Sequence, residues 1–245
     1  MIEIKDQDGV RILQMAHGRA NAMDLSFLDA LREHVEGASG IEAIVVTGRG
    51  SIFCAGVDLN KMLEGGEAYI AAFIPALDRC FAAVATSPIP VVAAINGHAI
   101  AGGAILACAA DFRVASETGR IGVPELVVGV PFPPVAFALA TSSIPPDRFR
   151  QQVLRGQQVT GEDRISAGFV DEVVADEHCL ARAIEVAREL ASVPGPAFRT
   201  TKSRWRRGVT KAAADTKALA EVTALWRDPA TVSHVRSYVE RTLRR

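Results

Sequence analysis

The chain has 245 residues, and its 27 Lys and Arg nearly balance its 28 Asp and Glu, so the net charge at pH 7 is −1. This length suits one domain with a substantial core, or one domain with a helical extension. The near-neutral charge argues against a binder of nucleic acid or another polyanion. No uninterrupted apolar run approaches the roughly 20 residues that span a bilayer, so we expect no membrane partner.

Neither end of the chain carries a targeting signal that we recognise. Residues 1–5 (Met-Ile-Glu-Ile-Lys) lack the basic-then-apolar order of a signal peptide. The final tripeptide, residues 243–245 (Leu-Arg-Arg), does not match the peroxisomal signal. We therefore expect a cytoplasmic protein.

Cysteine and histidine spacing indicates no metal site. Four cysteines lie far apart with no Cys-x-x-Cys pair, and the histidines form no His-x-x-x-His pattern. We expect the cysteines to be buried small apolar side chains rather than a disulfide framework. Cys54 lies beside a small-residue turn, but no histidine is near it in sequence, so a structural role is favoured over a nucleophilic one.

The first elements are a hairpin and a helix. Residues 2–5 and 10–16 predict two strands, and Asp8-Gly9 between them is a strong hairpin signal. Asp24 is a plausible N-cap for the helix that follows. Apolar residues then recur at helical spacing until two glycines end the segment: Leu25, Leu28, Leu31 and Val35, before Gly37 and Gly40.

Two strand-turn-helix units then carry the most informative pattern in the chain. Residues 43–47 (Ala-Ile-Val-Val-Thr) and 91–95 (Val-Val-Ala-Ala-Ile) are short apolar runs that are typical of buried parallel strands. The turns that follow are residues 53–58 (Phe-Cys-Ala-Gly-Val-Asp) and 96–103 (Asn-Gly-His-Ala-Ile-Ala-Gly-Gly). First helical amides lack intrahelical partners, so two such turns brought together could hold an oxygen that becomes negative during a reaction. The bland alternative is that small residues only permit close packing.

The remaining segments are assigned more coarsely. Residues 60–66 are polar and predict a flexible segment, and residues 68–85 predict an Ala-rich helix that ends before Pro88-Ile89-Pro90. Three prolines among residues 130–134 delay the next helix. From Gly161 onward the pattern predicts helices with polar faces and no further strands.

Taken together, these motifs resemble the enoyl-CoA hydratase/isomerase (crotonase) superfamily in order and spacing. Two further parts of the pattern follow these two turns in the chain: Asp111, and Gly-Val-Pro-Glu at 122–125. Arg-Ala-Asn-Ala-Met at 19–23 is similar to the family's Asn-Ala element, and residues 160–171 are similar to its segment from Thr-Gly to Val-Asp. The resemblance covers essentially the whole chain.

The resemblance implies an α/β fold, a crotonase-like spiral of ββα units with a C-terminal helical region. Residues 1–195 would form the spiral core, and residues 196–245 would form a helical region that packs against neighbouring subunits in a homotrimer or hexamer. A basic cluster in this region could meet the phosphates of coenzyme A or be a solvated helix face: Arg199, Lys202, Arg204, Arg206, Arg207 and Lys211. For the cluster as a whole we favour the solvated face.

The resemblance also implies the site. The backbone N–H groups of Val57 and Gly102 would hold the oxygen of an acyl-CoA thioester, and Glu125 would be the acid/base. An acyl-CoA would be the substrate, with no separate cofactor. Contacts to coenzyme A or the acyl chain are expected from Arg19, Ala20, Ala22, Ala55, Gly56, Asp58, Leu59, His98, Gly103, Pro124 and Lys202.

One departure from the family pattern distinguishes between reactions. Family hydratases carry a second glutamate three residues after the second N–H donor, and this chain has Ile105 there. Isoleucine cannot activate water, whereas a double-bond shift needs only one carboxylate that removes an α proton and returns it at the γ carbon. We therefore predict an isomerase that converts 3-enoyl-CoA into 2-trans-enoyl-CoA. Ile105, Val127, Val130 and Phe132 are expected to surround Glu125 and raise its pKa.

Three alternatives stay open at this point. A carboxylate from residues 58–67, such as Glu64 or Glu67, could replace the missing one and support hydration. The chain could be an acyl-CoA binding protein without turnover. Glu125 could simply stabilise a helix N-terminus behind a proline.

Overall fold

Two parallel-rich sheets organise residues 1–242, the part of the chain that the computed structural model describes; the tripeptide 243–245 considered above lies outside it. The long sheet has the order β1-β2-β3-β5-β7-β9, and the short sheet has the order β4-β6-β8. The strands are β1 (Ile2–Gln7), β2 (Val10–Met15), β3 (Ala43–Gly48), β4 (Ile52–Cys54), β5 (Val91–Ile95), β6 (His98–Ile100), β7 (Phe112–Ser116), β8 (Ile121–Gly122) and β9 (Glu172–Val174). Only the β1–β2 pair is antiparallel among the paired strands of these residues.

Helices cover both sheets and complete the chain. They are α1 (Leu25–Glu36), α2 (Leu59–Thr86), α3 (Gly102–Ala109), α4 (Glu125–Val128), α5 (Pro134–Ser143), α6 (Asp163–Ser166), α7 (Cys179–Ala191), α8 (Gly195–Trp205), α9 (Arg207–Ala213), α10 (Thr216–Arg227) and α11 (Pro229–Thr242). A turn of π-helix at Arg150–Leu154 and a 3-10 turn at Asp176–His178 lie between them.

The fold is a repeated ββα unit, as predicted. β3, β5 and β7 each add a parallel strand to the long sheet, and β4, β6 and β8 directly after them build the short sheet. The helices α2, α3 and α4 follow the three short strands. This is the crotonase-like α/β arrangement expected from the sequence.

The hairpin and the first helix form where the sequence predicted them. Asp8 and Gly9 adopt φ of 50° and 79°, the left-handed values that a two-residue hairpin turn requires. The Asp24 carboxylate accepts from the N–H of Phe27 at 2.8 Å and so caps α1.

Residues 60–65 are helical, which corrects the flexible segment predicted for residues 60–66. α2 begins at Leu59, capped by the Asp58 carboxylate, and Gly66 interrupts it with φ 61° and ψ −153°. This glycine changes the direction of the chain and lets a short first section and a long second section pack differently. α2 is also long and apolar enough to cross a membrane by length and composition. Its side chains are largely buried against α1, α9 and α10, which makes it a core helix.

The long sheet is buried on both faces, which explains its continuous apolar strands. One face packs against α7, where Cys179, Ala183 and Val186 meet Val45 and Val92. The other face joins the main core with α1, α2 and α3.

The C-terminal part of the chain contains one strand that was not predicted. β9 pairs in parallel with β7, although no strand was expected after Gly161. Its three residues are too short to give a periodic signal. In addition, α9, α10 and α11 pack against α2, α4 and α5 of their own chain. The division into domains at residue 195, the oligomeric state and the cytoplasmic location stay predictions.

Candidate active site

Three strand-to-helix corners meet at one edge of the short sheet. β4, β6 and β8 are parallel neighbours, so their carboxyl ends point the same way and the helices α2, α3 and α4 all begin at this edge. Open parallel sheets bind ligands at such carboxyl ends. The edge therefore gathers the two small-residue turns and the Pro-Glu pair predicted to carry the chemistry.

The first two corners lie in direct contact at Gly56. A Cβ at this position would lie 2.8 Å from the Ile100 carbonyl oxygen and 3.1 Å from the Gly102 nitrogen. Gly56 also has a φ of 87°, which side chains rarely adopt. Glycine is therefore required here, because any side chain would separate the two corners.

The N–H groups of Val57 and Gly102 donate to no acceptor among the described residues 1–242. Gly102 is the first residue of α3, so its N–H has no intrahelical partner. Met23 forms backbone hydrogen bonds with the residues on either side of Val57. Its N–H donates to the Gly56 oxygen at 2.7 Å, and its carbonyl accepts from the Asp58 N–H at 2.9 Å. These bonds fix the first corner and leave the N–H of Val57 free to bind an oxygen.

A buried asparagine holds the segment that carries Met23. The Asn21 side-chain amide donates to the carbonyls of Ile52 and Phe53, both at 3.1 Å, and its oxygen accepts from the His17 N–H at 2.9 Å. The Ala55 N–H donates to the Ala20 carbonyl at 3.0 Å. This role of Asn21 explains why an Asn-Ala element precedes the first corner.

The third corner supplies the carboxylate. Glu125 begins α4 directly after Pro124, and it is 8% exposed. Its Oε2 has no hydrogen-bond partner among the described residues. Burial raises the pKa of Glu125 to about 8, against the smaller opposing effect of its own backbone N–H. An unpaired carboxyl with a pKa near neutrality can both take and return a proton.

A cavity of about 410 Å³ joins the three corners. This volume lies within the range of small-molecule sites. Nine of the predicted site residues line it: Ala20, Ala22, Ala55, Val57, Asp58, Leu59, Gly102, Pro124 and Glu125.

The sequence over residues 5–242 matches the Enoyl-CoA hydratase/isomerase family. The chain belongs to this family. A Thermus thermophilus protein named as an enoyl-CoA hydratase is 34% identical over 183 residues, 74% of this chain and 72% of that protein. A Mycobacterium tuberculosis protein, described in one structure as an enoyl-CoA isomerase and in another as an enoyl-CoA hydratase, superimposes in the first with a TM-score of 0.84 at 28% identity, covering 91% of this chain and 97% of that one. Human mitochondrial delta3-delta2-enoyl-CoA isomerase, at 21% identity, shares the fold with a TM-score of 0.91 over 98% and 97% of the two chains.

Five residues predicted to bind ligand in this family member do not line the cavity. Gly56 and Gly103 act through backbone packing, since a Cβ at Gly103 would lie 2.1 Å from the Cys54 carbonyl oxygen. Arg19 is exposed. His98 is half-buried, and its Nδ1 accepts from the Arg120 N–H at 3.1 Å.

The fifth, Lys202, is a correction to the predicted ligand contacts. Its ammonium is buried, 2.6 Å from an Asp111 carboxylate oxygen and 3.2 Å from the Ile89 carbonyl. Arg206 from the same basic cluster is also buried and donates to the carbonyls of Ala109 and Ala110. The solvated-face interpretation therefore fails for these two residues, because both anchor the C-terminal region to the core.

The apolar wall predicted around Glu125 is largely confirmed. Ile105, Val130 and Phe132 line the cavity. Val127 does not, because it lies on the outward side of α4 and is 48% exposed. Sequence reasoning missed several other lining residues, which come from distant parts of the chain without a motif: Leu77, Phe81, Arg120, Gln158, Trp226 and Tyr238.

The other carboxylates near the site are placed differently from Glu125. Asp58 lines the cavity, but one of its oxygens caps α2 by accepting from the Lys61 N–H at 3.0 Å. Glu64 is exposed beside α11, and Glu67 is exposed and pairs with Arg227. Neither Glu64 nor Glu67 lines the cavity.

Cys54 is fully buried beneath the first corner. Its Sγ lies 3.0 Å from the Asn21 carbonyl oxygen, and burial raises the pKa of the thiol to about 12. A thiol held protonated and away from solvent is a poor nucleophile. The structural role expected for Cys54 therefore fits its surroundings, and the other three cysteines are likewise buried and free.

Proposed function

We propose that this family member is an isomerase that converts 3-enoyl-CoA into 2-trans-enoyl-CoA. The observation that carries the proposal is the position of Glu125, a buried carboxyl with an unpartnered oxygen facing a cavity whose wall includes Ile105. A buried carboxyl without a cation, beside the apolar Ile105, suits proton transfer between two carbon atoms, whereas adding water needs groups that bind and activate water.

The N–H groups of Val57 and Gly102 stabilise charge on the thioester oxygen in this mechanism. Ionised Glu125 takes a proton from C2, and the electron pair of that C–H bond moves into the C1–C2 bond while negative charge develops on the oxygen. The charge then returns through C2, C3 and C4, the double bond moves from C3–C4 to C2–C3, and Glu125 gives the proton to C4. Each N–H donor is worth about 3 kcal/mol of transition-state stabilisation.

The remaining cavity residues bind the substrate. Ala20, Ala22 and Ala55 lie beside the first corner, where small side chains leave backbone groups accessible to the coenzyme A arm. The coenzyme is part of the substrate, so the proposal requires no separate cofactor. We also propose a homotrimer or hexamer, which light scattering on the purified protein tests.

Two substrates test the reaction. Purified protein is incubated with 3-hexenoyl-CoA and, separately, with crotonyl-CoA, and the absorbance of the conjugated thioester is followed. We expect it to rise with the first substrate and to stay nearly constant with the second. No double-bond shift together with ready hydration of crotonyl-CoA would reject the proposal.

Isotope transfer tests the single-carboxylate step. With 3-hexenoyl-CoA deuterated at C2, one buried carboxyl should carry part of the label to C4, because Glu125 is only 8% exposed and exchanges slowly with solvent. Mass spectrometry of the product measures the retained label. Complete loss of label to solvent would contradict a shielded carboxyl.

Hydration is the second candidate function, because most of the named relatives are hydratases and Asp58 lines the same cavity. Under this alternative, Asp58→Asn would abolish water addition to crotonyl-CoA. Glu64→Gln is the matched control, since Glu64 lies outside the cavity. Tight binding of both thioesters without any reaction would instead favour a non-catalytic acyl-CoA binding protein.

A further inference from the structure

A buried aspartate of α2 holds the beginning of α5. Asp78 is 3% exposed, and its Oδ1 accepts from the Val135 N–H at 2.9 Å. Val135 is the second residue of α5, and the N-cap residue of this helix, Pro133, offers no side-chain acceptor. The Asp78 carboxylate therefore caps α5 from a different helix, 57 residues away in the chain.

The position of Asp78 is otherwise unfavourable for a carboxylate. On α2 the residues one turn before and after it, Ile74 and Phe81, are buried and apolar. Burial raises the pKa of Asp78 to about 6, and the Val135 N–H and the exposed Arg79 oppose this effect. Above that pH the carboxylate is ionised at the N-terminus of a ten-residue helix, where the helix dipole favours a negative charge.

The proline-rich segment 130–134 connects this cap to Glu125. At one end of the segment, the Val130 N–H donates to the Glu125 carbonyl oxygen at 3.0 Å. At the other end, the next residue is Val135, which Asp78 holds. Three of the five residues between are prolines, which have no N–H to donate, so the backbone of the segment has few ways to fix itself.

The middle of this segment forms part of the cavity wall beside Glu125. Phe132 lines the same cavity as Glu125 and is only 8% exposed. The Trp226 indole N–H donates to the Pro131 carbonyl at 2.9 Å and so holds the segment ahead of Phe132. The junction with α5, on the other side of Phe132, is held by Asp78. Loss of this second anchor would let Phe132 move and admit water to the cavity wall.

We propose that Asp78 is a positioning residue for the reaction, which fixes α5 so that the segment 130–134 keeps water away from Glu125. Asp78 itself does not line the cavity and transfers no proton. It acts through Val135 and the wall. The inference rests on the proposed function for its kinetic readouts and on the backbone contacts alone for its hydrogen-exchange readout.

Two variants of Asp78 separate its hydrogen bond from its charge. Asp78→Leu removes the acceptor, whereas Asp78→Asn removes the charge and keeps an oxygen that accepts from the Val135 N–H. The pH dependence of kcat/KM for 3-hexenoyl-CoA is measured for both, with the label carried from C2 to C4. We expect Asp78→Leu to lower the midpoint by at least about one pH unit, because water beside Glu125 favours its ionised form. The retained label should fall at least about threefold, since a hydrated carboxyl exchanges its proton with solvent.

Asp78→Asn should keep both the midpoint and the retained label of the unmodified protein. Asp215→Leu is the matched control, because Asp215 caps α10 from an exposed position outside the cavity by accepting from the Ala218 N–H at 2.9 Å. It should lower the melting temperature and leave the midpoint unchanged. Three other charged or titratable side chains line the cavity, and every variant leaves them in place: Asp58, Arg120 and Tyr238. An unchanged midpoint and label in Asp78→Leu, or equal changes in Asp78→Asn, would overturn the proposal.

Hydrogen exchange separates this inference from the isomerase proposal. Without substrate, amides in a peptide of residues 129–140 should exchange at least about tenfold faster in Asp78→Leu than in the unmodified protein or Asp78→Asn, as mass spectrometry measures. If this difference appears in a protein without isomerase activity, the anchor stands and the proposed reaction fails. If the unmodified protein isomerises 3-hexenoyl-CoA but exchange in Asp78→Leu is unchanged, the anchor fails. Asp78→Ala, which also lacks the acceptor, replaces Asp78→Leu if that variant does not fold.

Discussion

Two buried carboxyl groups at different ends of the sheets have opposite surroundings. Glu125 lies at the carboxyl edge of the short sheet, where no cation among residues 1–242 pairs with it; one oxygen of Glu125 and one of Asp111 lack a hydrogen-bond partner among these residues. Asp111 lies just before β7, at the amino end of the long sheet, and its carboxylate accepts from the Lys202 ammonium at 2.6 Å and from the Val91 N–H at 2.8 Å. Burial raises the pKa of both carboxyl groups, but only at Asp111 does a neighbouring cation oppose this effect.

The difference indicates which carboxyl is available for chemistry. Breaking a buried ion pair leaves an uncompensated charge, so Asp111 and Lys202 hold the C-terminal region on the core and neither is free to exchange protons with a ligand. Glu125 has no such partner and faces a cavity. A carboxyl that is buried in a cavity wall without a neighbouring cation is suited to catalysis.

Replacing Glu125 should therefore abolish activity and spare stability. We expect Glu125→Gln to lower kcat for 3-hexenoyl-CoA by about 10³ to 10⁴, near the upper end for a general acid/base. The side chain keeps its shape, so the melting temperature should not fall. Glu117→Gln is the matched control, because Glu117 is exposed and outside the cavity. Retention of turnover in Glu125→Gln would show that the single-carboxylate mechanism is wrong.

Replacing Lys202 should lower the stability of the protein, in contrast to replacing Glu125. Lys202→Met leaves Asp111 buried without its cation, and we expect a loss of about 3 to 5 kcal/mol in the free energy of unfolding. Urea denaturation measures this loss. Lys211→Met is the matched control, since Lys211 is exposed and should lose less than about 0.5 kcal/mol. The comparison fails if Lys202→Met is as stable as the control.

The sequence predicted the elements with a strong local signal. The Asp8-Gly9 hairpin, the Asp24 cap and the apolar parallel strands form where expected, because each depends on residues close together in the chain. Two of the three corners were predicted from strand-turn-helix patterns, although the short strands β4 and β6 that end at them lie largely within the predicted turns. Glu125 could be placed there only through the family resemblance, because Pro-Glu alone equally describes a helix start.

The errors arose where distant contacts decide the outcome. The sequence of residues 60–66 predicted a flexible segment, because two glycines and several polar residues obscure the helical pattern. Packing against other helices stabilises the helix there. Lys202 was predicted to contact the ligand, and only the fold brings it to Asp111, 91 residues away in the chain. No local sequence pattern marked Trp226 as a cavity residue, since its position there depends on α10 packing beside Pro131.

The raised pKa of Glu125 predicts a pH profile that a paired carboxyl would not give. The base form is needed to take the C2 proton, so kcat/KM for 3-hexenoyl-CoA should rise about tenfold per unit below an apparent pKa of about 8 and level off above it. The free energy of unfolding should instead fall as the pH rises. The stabilising effect of a protonated Glu125 is fully present below the unfolded pKa of 4.5 and is lost as pH rises through about 8. Melting temperatures of Glu125→Gln should therefore exceed those of the unmodified protein above pH 8 and match them near pH 4.5. A rate profile with its midpoint below pH 5 would contradict the unpaired environment.

The smallest expected effect comes from the first corner, where the backbone rather than the side chain is proposed to act. Val57→Ala should change kcat by less than about twofold, because the N–H and its geometry remain. Gly56→Ala is the contrasting variant: its new Cβ would lie 2.8 Å from the Ile100 oxygen and force the corners apart, so kcat should fall by at least 10². Kinetics on 3-hexenoyl-CoA, with melting temperatures to confirm folding, measure both. Should Val57→Ala lose as much activity as Gly56→Ala, the side chain rather than its N–H would be what the reaction requires at this corner.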